Sequence, residues 1–138
     1  MGKKITSSLG LFMICALGQL AAADSKALLN GITLLEKKNY VQAIDAFNLA
    51  LKETPANAFI WERRGYAYFC IEDYYQSIND FTLAIILLPQ NASFHLQRAL
   101  AYMKTENANA MKNDLISAAK LGNTHAQEFL QKHGIAWN

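Results

Sequence analysis

At 138 residues the chain holds one domain with a real core, and its 13 basic against 11 acidic residues leave a formal net charge of only +2. That balance supplies no electrostatic footprint for nucleic acid or an anionic membrane surface. Two cysteines, Cys15 and Cys70, are too few for a disulfide framework.

The chain begins Met1-Gly2-Lys3-Lys4, runs apolar from Leu9 to Leu17 and reaches Leu20-Ala21-Ala22-Ala23 before Asp24. A basic start, an apolar middle and an A-x-A end are the three parts of a secretory signal peptide. Residues 1–23 are therefore expected to be removed after Ala23 and the remainder exported, to a periplasm or the secreted space. The alternative is a membrane anchor over residues 5–23, since Ile5 to Ala23 carries no charge and approaches the ~20 residues that span a bilayer. Gly10, Gly18, Gln19 and Thr6-Ser7-Ser8 weaken that alternative. Both place Lys3 and Lys4 in the cytoplasm and the rest outside it. A lipidated Cys15 is disfavoured, because Phe12-Met13-Ile14 offers no small residue just before it. Cleavage removes Lys3, Lys4 and Cys15, which brings acid and base into balance and leaves Cys70 as a lone thiol, read as a small buried hydrophobe at the end of an apolar helix.

Beyond Asp24, Ala27, Gly31, Leu34 and Leu35 recur at helical spacing and predict a helix over Ser25–Lys37, with a turn at Lys38-Asn39. A second helix over Tyr40–Glu53 shows Ala43, Phe47, Ala50 and Leu51 on one face and is stopped by Pro55. The next pair is expected near Asn57–Ile71 and Tyr74–Leu87. Residues 92–125 form a weaker pair. Gly122 caps the preceding helix, and Thr124-His125-Ala126-Gln127 reads as a T-x-x-Q capping box opening a last helix to about His133. Trp137 either folds back on that helix or hangs free.

A shift of 34 positions lays Gly31 on Gly65, Tyr40 on Tyr74, Phe47 on Phe81, Ala50 on Ala84 and Pro55 on Pro89. The run Trp61-Glu62-Arg63-Arg64-Gly65-Tyr66-Ala67-Tyr68, with Arg64 where leucine is usual, is followed by small and aromatic positions such as Ala43 and Phe47 and then by proline. This resembles the tetratricopeptide repeat, W-x2-L-G-x2-Y, A-x3-F, P, at a period of 34. The resemblance implies an all-α, right-handed α-solenoid of three helix-turn-helix repeats, residues 24–57, 58–91 and 92–125, plus a capping helix and tail over 124–138. Repeat three is degenerate: His95, Ala99, Met111, Leu115 and Asn123 replace Trp61, Gly65, Ser77, Phe81 and Pro89. Terminal repeats are expected to be atypical. The signature residues are core, and His95 is a packed aromatic substitute.

Arg64 with Asp80 and Arg98 with Asp114 share a separation of sixteen, whereas repeat one has Asn30 and Ala46 there. Joint presence and joint absence predict an ion pair from the first to the second helix of a repeat, or to its neighbour.

The resemblance further implies a concave groove lined by the first helices, which receives a peptide or protein segment. Its positions fall on Leu28, Ile32 and Leu35 in repeat one, on Phe59, Glu62, Tyr66, Phe69 and Cys70 in repeat two, and on Leu96, Leu100, Met103 and Lys104 in repeat three. Most are apolar, so either the cap helix closes the groove with Phe129 and Leu130 or an apolar or amphipathic partner covers it. Family members that grip the acidic C-terminus of heat-shock chaperones use a clamp of lysine, asparagine and arginine. The matching positions here are Leu28, Ile32, Arg63, Ser93 and Gln97, which do not reproduce it.

No nucleophile with a base, carboxylate pair, phosphate loop or metal ligand set stands out. His125 and His133 lie about 12 Å apart along a helix, too far to share a zinc ion. Glu72-Asp73 is N-terminal charge for the helix at Tyr74, and Asn91-Ala92-Ser93 is a formal glycosylation sequon in a turn. The expectation is a non-catalytic module without cofactor or metal, binding another protein or peptide segment, neither nucleic acid nor, once cleaved, a membrane. The alternative is a structural envelope protein that self-associates through the same apolar surface.

Overall fold

A computed structural model describes residues 26–137, so the expected signal peptide or anchor lies outside the described residues. Among the described residues seven helices follow one another: α1 (residues 26–36), α2 (Tyr40–Glu53), α3 (Ala58–Cys70), α4 (Tyr74–Leu87), α5 (Ala92–Lys104), α6 (Ala108–Lys120) and α7 (Thr124–Lys132). No strand occurs among the described residues. Contacts from α2 to α7 run from each helix to the next, and α3 also touches α5. The result is an α-solenoid of three helix-turn-helix repeats closed by α7.

The period is written into the backbone. Each hairpin turns through one residue in the left-handed region, Lys38 at φ 61°, Glu72 at φ 65° and Glu106 at φ 58°, although none is glycine. The residue after each turn is the N-cap of the second helix. Asp73 accepts from the Gln76 amide at 3.3 Å and Asn107 from Ala110 at 3.1 Å, while Asn39 makes no side-chain cap bond. First helices open on Asn57 and Asn91, whose Oδ1 atoms accept from Phe59 and Ser93. Each such cap contributes about 1 kcal/mol. The Asn91 side chain of the formal sequon thus serves as a helix cap.

At the last helix the expected capping box is corrected. Asn123 is the N-cap, accepting from the Ala126 amide at 2.9 Å, and Thr124 is already helical. Gln127 does not reach back to the cap; its Nε2 donates to the Ala119 carbonyl at the end of α6. Gly122, at φ 90°, closes α6 as expected, with Asn123 N bonded to Ala118 O.

Close approach within each hairpin explains the core. A Cβ on Gly31 would sit 2.5 Å from the Phe47 ring, and one on Gly65 3.1 Å from both Asp80 Cβ and the Phe81 ring. Repeat three places Ala99 and Leu115 at these positions, a larger residue facing a smaller one, and both are buried. Leu130 of α7 is fully buried against Ala99, Leu115 and Ala119, and Ile135 and Trp137 fold back on this cluster.

Candidate functional site

The first helices are clamped to their surroundings by a repeating arginine. Arg64 donates through Nε and Nη2 to Asp80 Oδ2 and Oδ1 at 2.8 and 2.7 Å, and through Nη1 to Asn48 Oδ1 of the preceding repeat at 2.6 Å. Arg98 does the same with Asp114 at 2.7 Å twice and with Thr82 Oγ1 at 2.9 Å. The predicted ion pair therefore forms within each repeat, and the link to the preceding repeat is a hydrogen bond to a neutral side chain.

Burial raises the Asp80 carboxyl, and the bonds from Arg64 pull against that rise. Burial disfavours the Arg64 charge, but the bonds and charge of Asp80 outweigh it, and the guanidinium holds its proton more tightly than usual. For Arg98 the bonds it donates to Asp114 act first, against burial, in the same upward direction. Three fixed donors per arginine make each a rigid fork rather than a mobile charge. Trp61 Nε1 donates to the Pro55 carbonyl at 2.7 Å, and His95 Nε2 lies 3.0 Å from the Pro89 carbonyl. His95 thus occupies the place of Trp61 and adds a contact of its own, Nδ1 at 3.5 Å from Asp114 Oδ1.

On this frame two recesses open, one repeat apart, each of about 250 Å³. The first, between α3 and α5, is lined by Glu62, Arg63, Tyr66, Phe69, Phe81, Gln97 and Leu100. The second, between α5, α6 and α7, is lined by Leu96, Ala99, Leu100, Met103, Met111, Leu115, His125 and Phe129. Glu62, Tyr66, Phe69 and Phe81 of the first correspond by the 34-residue shift to Leu96, Leu100, Met103 and Leu115 of the second.

Glu62 is a carboxylate in a nearly closed position, 6% exposed. Its Oε1 accepts from Gln97 Nε2 at 2.8 Å, and its Oε2 lies 3.3 Å from the half-exposed Arg63 Nε. Gln97 Nε2 also reaches Ser93 Oγ at 3.2 Å, whereas its Oε1 is buried with no hydrogen-bond partner among the described residues.

Six of the twelve predicted groove residues line these recesses: Glu62, Tyr66, Phe69, Leu96, Leu100 and Met103. Tyr66, Leu100 and Met103 remain 43%, 41% and 46% exposed although α7 bounds the second recess. Leu28, Ile32 and Leu35 are only half-buried and pack against the core of α2 and α3. Phe59 lies apart at the turn side, edge-on to Phe94 at 5.7 Å and close to Leu87 and Leu88. Cys70 is not the buried hydrophobe expected: it is half-buried and lies beside the hydroxyls of Tyr40 and Tyr66. Hydrogen bonding to Cys70, then its charge and burial, raise the Tyr66 hydroxyl; burial and then Cys70 raise Tyr40. Lys104 is exposed at the end of α5.

Two features escaped the sequence reading. Gln97 was matched only as a clamp position, yet it completes the Glu62 recess. On the second helices, Val41 and Leu49 of α2 and Tyr75, Leu83 and Ile86 of α4 are exposed. Val41 and Tyr75, and Leu49 and Leu83, stand one period apart, a signal the sequence contained; α6 has Asn109 and Ser117 there.

Among the described residues no group of three or more His, Cys, Asp or Glu side chains is placed to hold a metal ion, and no helix is long and apolar enough to cross a membrane.

The solenoid frame and its inner recesses define a tetratricopeptide-repeat fold. The structure superposes on the first such domain of Spaghetti (RPAP3) bound to an HSP90 peptide SRMEEVD, with a TM-score of 0.75 and 21% identity over 80% of this chain and 90% of that one. It matches the Arabidopsis OM64 domain at 0.75 and 22% over 83% and 98%, and the TPR2B domain of yeast Sti1 in complex with an Hsp70 peptide at 0.73 and 20% over 80% and 92%. No protein-family model and no curated protein matches the chain.

Proposed function

We propose that the chain is a non-catalytic interaction module that holds a segment of another protein across the α3, α5 and α7 face. The observation that carries this reading is that Tyr66, Leu100 and Met103 stay substantially exposed on that face, beside two side-chain-sized recesses. At about 250 Å³ each recess falls below the ~300–1,000 Å³ of small-molecule pockets, so each suits a residue of a peptide. That solved domains of this fold are found in complex with chaperone peptides supports a role in holding a peptide. Their peptide cannot be carried over, because Leu28, Ile32, Arg63, Ser93 and Gln97 do not make a carboxylate clamp, and Ser93, Gln97 and Glu62 already bond to one another.

The layout of residues 1–23 supports export to a periplasm or the secreted space, or anchorage through residues 5–23 facing outside the cytoplasm. An N-terminus at Asp24 in protein recovered from cells supports cleavage; an intact Met1 in a membrane fraction supports the anchor. The groove itself is tested by amide-resonance mapping with a peptide library: binding that shifts Tyr66, Leu100 and Met103 and is lost in Tyr66→Ala/Met103→Ala supports the reading. Shifts confined to α2 and α4 sink it. That second pattern would favour self-association, which the exposed Val41, Leu49, Tyr75 and Ile86 motivate.

A further inference from the structure

The first recess is built to accept hydrogen bonds. A carboxylate only accepts, so the Gln97 amide turns its NH2 to Glu62 and leaves its carbonyl oxygen buried and unpaired. Burial makes that orphaned acceptor costly, and a donor brought alongside relieves the cost. Glu62 uses one site on Oε1 for Gln97 and one on Oε2 for Arg63, which leaves capacity on both oxygens. Arg63 is a weak occupant: it neighbours Glu62 in sequence, holds a 3.3 Å contact and is half in water. Among the described residues it is the one cation paired with this carboxylate. Around the acceptors stand Tyr66, Phe69 and Leu100, which suit the apolar stem of a long side chain and the face of a guanidinium.

Resting on the reading of this face as a peptide groove, we propose that the α3–α5 recess selects a basic side chain, arginine or lysine, of the bound segment, which displaces Arg63 from Glu62. The neighbouring recess, apolar except for His125, takes an aliphatic residue of the same segment. Helices pack about 8–10 Å apart and an extended chain advances about 3.3 Å per residue, so the two anchors stand about three residues apart. The partner sequence is thus a basic residue followed or preceded, three positions away, by an aliphatic one. Glu62 supplies the discrimination, since its counterpart in the next repeat is Leu96.

The test uses the full chain and three acetylated, amidated heptapeptides, Leu-Ala-Ala-X-Ala-Ala-Leu, in which X is arginine, its neutral isostere citrulline, or glutamate. The symmetric layout satisfies either chain direction. Affinity from amide-resonance titration at low salt is expected to be about tenfold or more higher for the arginine peptide than for citrulline, with glutamate weakest. Glu62→Gln, which retains the acceptor for Gln97, is expected to lower the arginine peptide to the citrulline level, and Arg63→Gln to tighten it. Equal binding of the arginine and citrulline peptides by the unaltered chain, or preference for glutamate, overturns the charge selection while leaving the groove in place. If no peptide shifts Tyr66 or Leu100, both readings fall. Because the arginine–citrulline contrast is read on the unaltered protein, a misfolded variant does not cloud it.

Discussion

The two recesses share one frame and differ in chemistry. Glu62, Tyr66, Phe69 and Phe81 surround the first, while Leu96, Leu100, Met103 and Leu115 surround the second. The frame is indifferent to that change because Arg64 and Arg98 hold their helices through the same three-way bonding in both repeats. The arginine fork thus leaves the recess-lining positions of α3 and α5 free to differ in chemistry between repeats.

The largest effects should come from the floors of the recesses. Phe81 is 1% exposed and fully enclosed, so Phe81→Ala is expected to cost roughly 3–5 kcal/mol in urea or thermal unfolding, and Leu115→Ala roughly 2–4. Equal losses would mean that the second recess is packed more tightly than its smaller residues imply. Next comes the fork. Arg64→Ala strands Asp80, which is 2% exposed, and is expected to cost about 3 kcal/mol, near the lower end for a broken buried pair because Arg64 itself keeps some contact with water. A loss below about 1 kcal/mol would show Asp80 re-solvated and the frame less rigid than its distances suggest.

A smaller effect separates decay from design in repeat three. Gly65→Ala puts a Cβ against the Phe81 ring and is expected to cost about 1–3 kcal/mol, whereas Gly65→Ala with Phe81→Leu installs the pairing that Ala99 and Leu115 already make. The double variant should be more stable than the sum of the singles by about 1 kcal/mol. Strict additivity would mean that the two positions do not sense each other.

How much of this was legible in the sequence follows from what periodicity can carry. The offset of 34 located the hairpins, and the joint occurrence of Arg64 with Asp80 and Arg98 with Asp114 located the fork, because both are relations between positions. The acceptors Asn48 and Thr82 stand sixteen residues before Arg64 and Arg98, but they differ in residue type, so no recurring pair marks them in the sequence. Ala99 and Leu115 looked like degraded signature residues when taken singly. Only the distance between their predecessors shows that one substitution compensates the other. The packing of Leu28, Ile32 and Leu35 against α2 and α3 depends on neighbours that the spacing does not name. At α7, Asn123 and Thr124 both have cap-forming side chains, and local sequence could not choose between them; the turn at Gly122 does.

The smallest effect tests whether the two hairpins remain equivalent away from the groove. Glu72 and Glu106 hold left-handed backbone at φ 65° and 58°, a conformation that costs an L-residue about 1–2 kcal/mol and glycine almost nothing. Glycine also enlarges the freedom of the unfolded chain, which takes back about 0.4–1 kcal/mol. Glu72→Gly and Glu106→Gly should therefore each stabilise by a few tenths to about 1 kcal/mol, read as a higher urea midpoint at unchanged slope. Both side chains are exposed, so neither change should alter peptide affinity. A stabilisation in one turn and a loss in the other would mean that one of these glutamates makes a contact of its own, and that the hairpins differ in more than the recesses they carry.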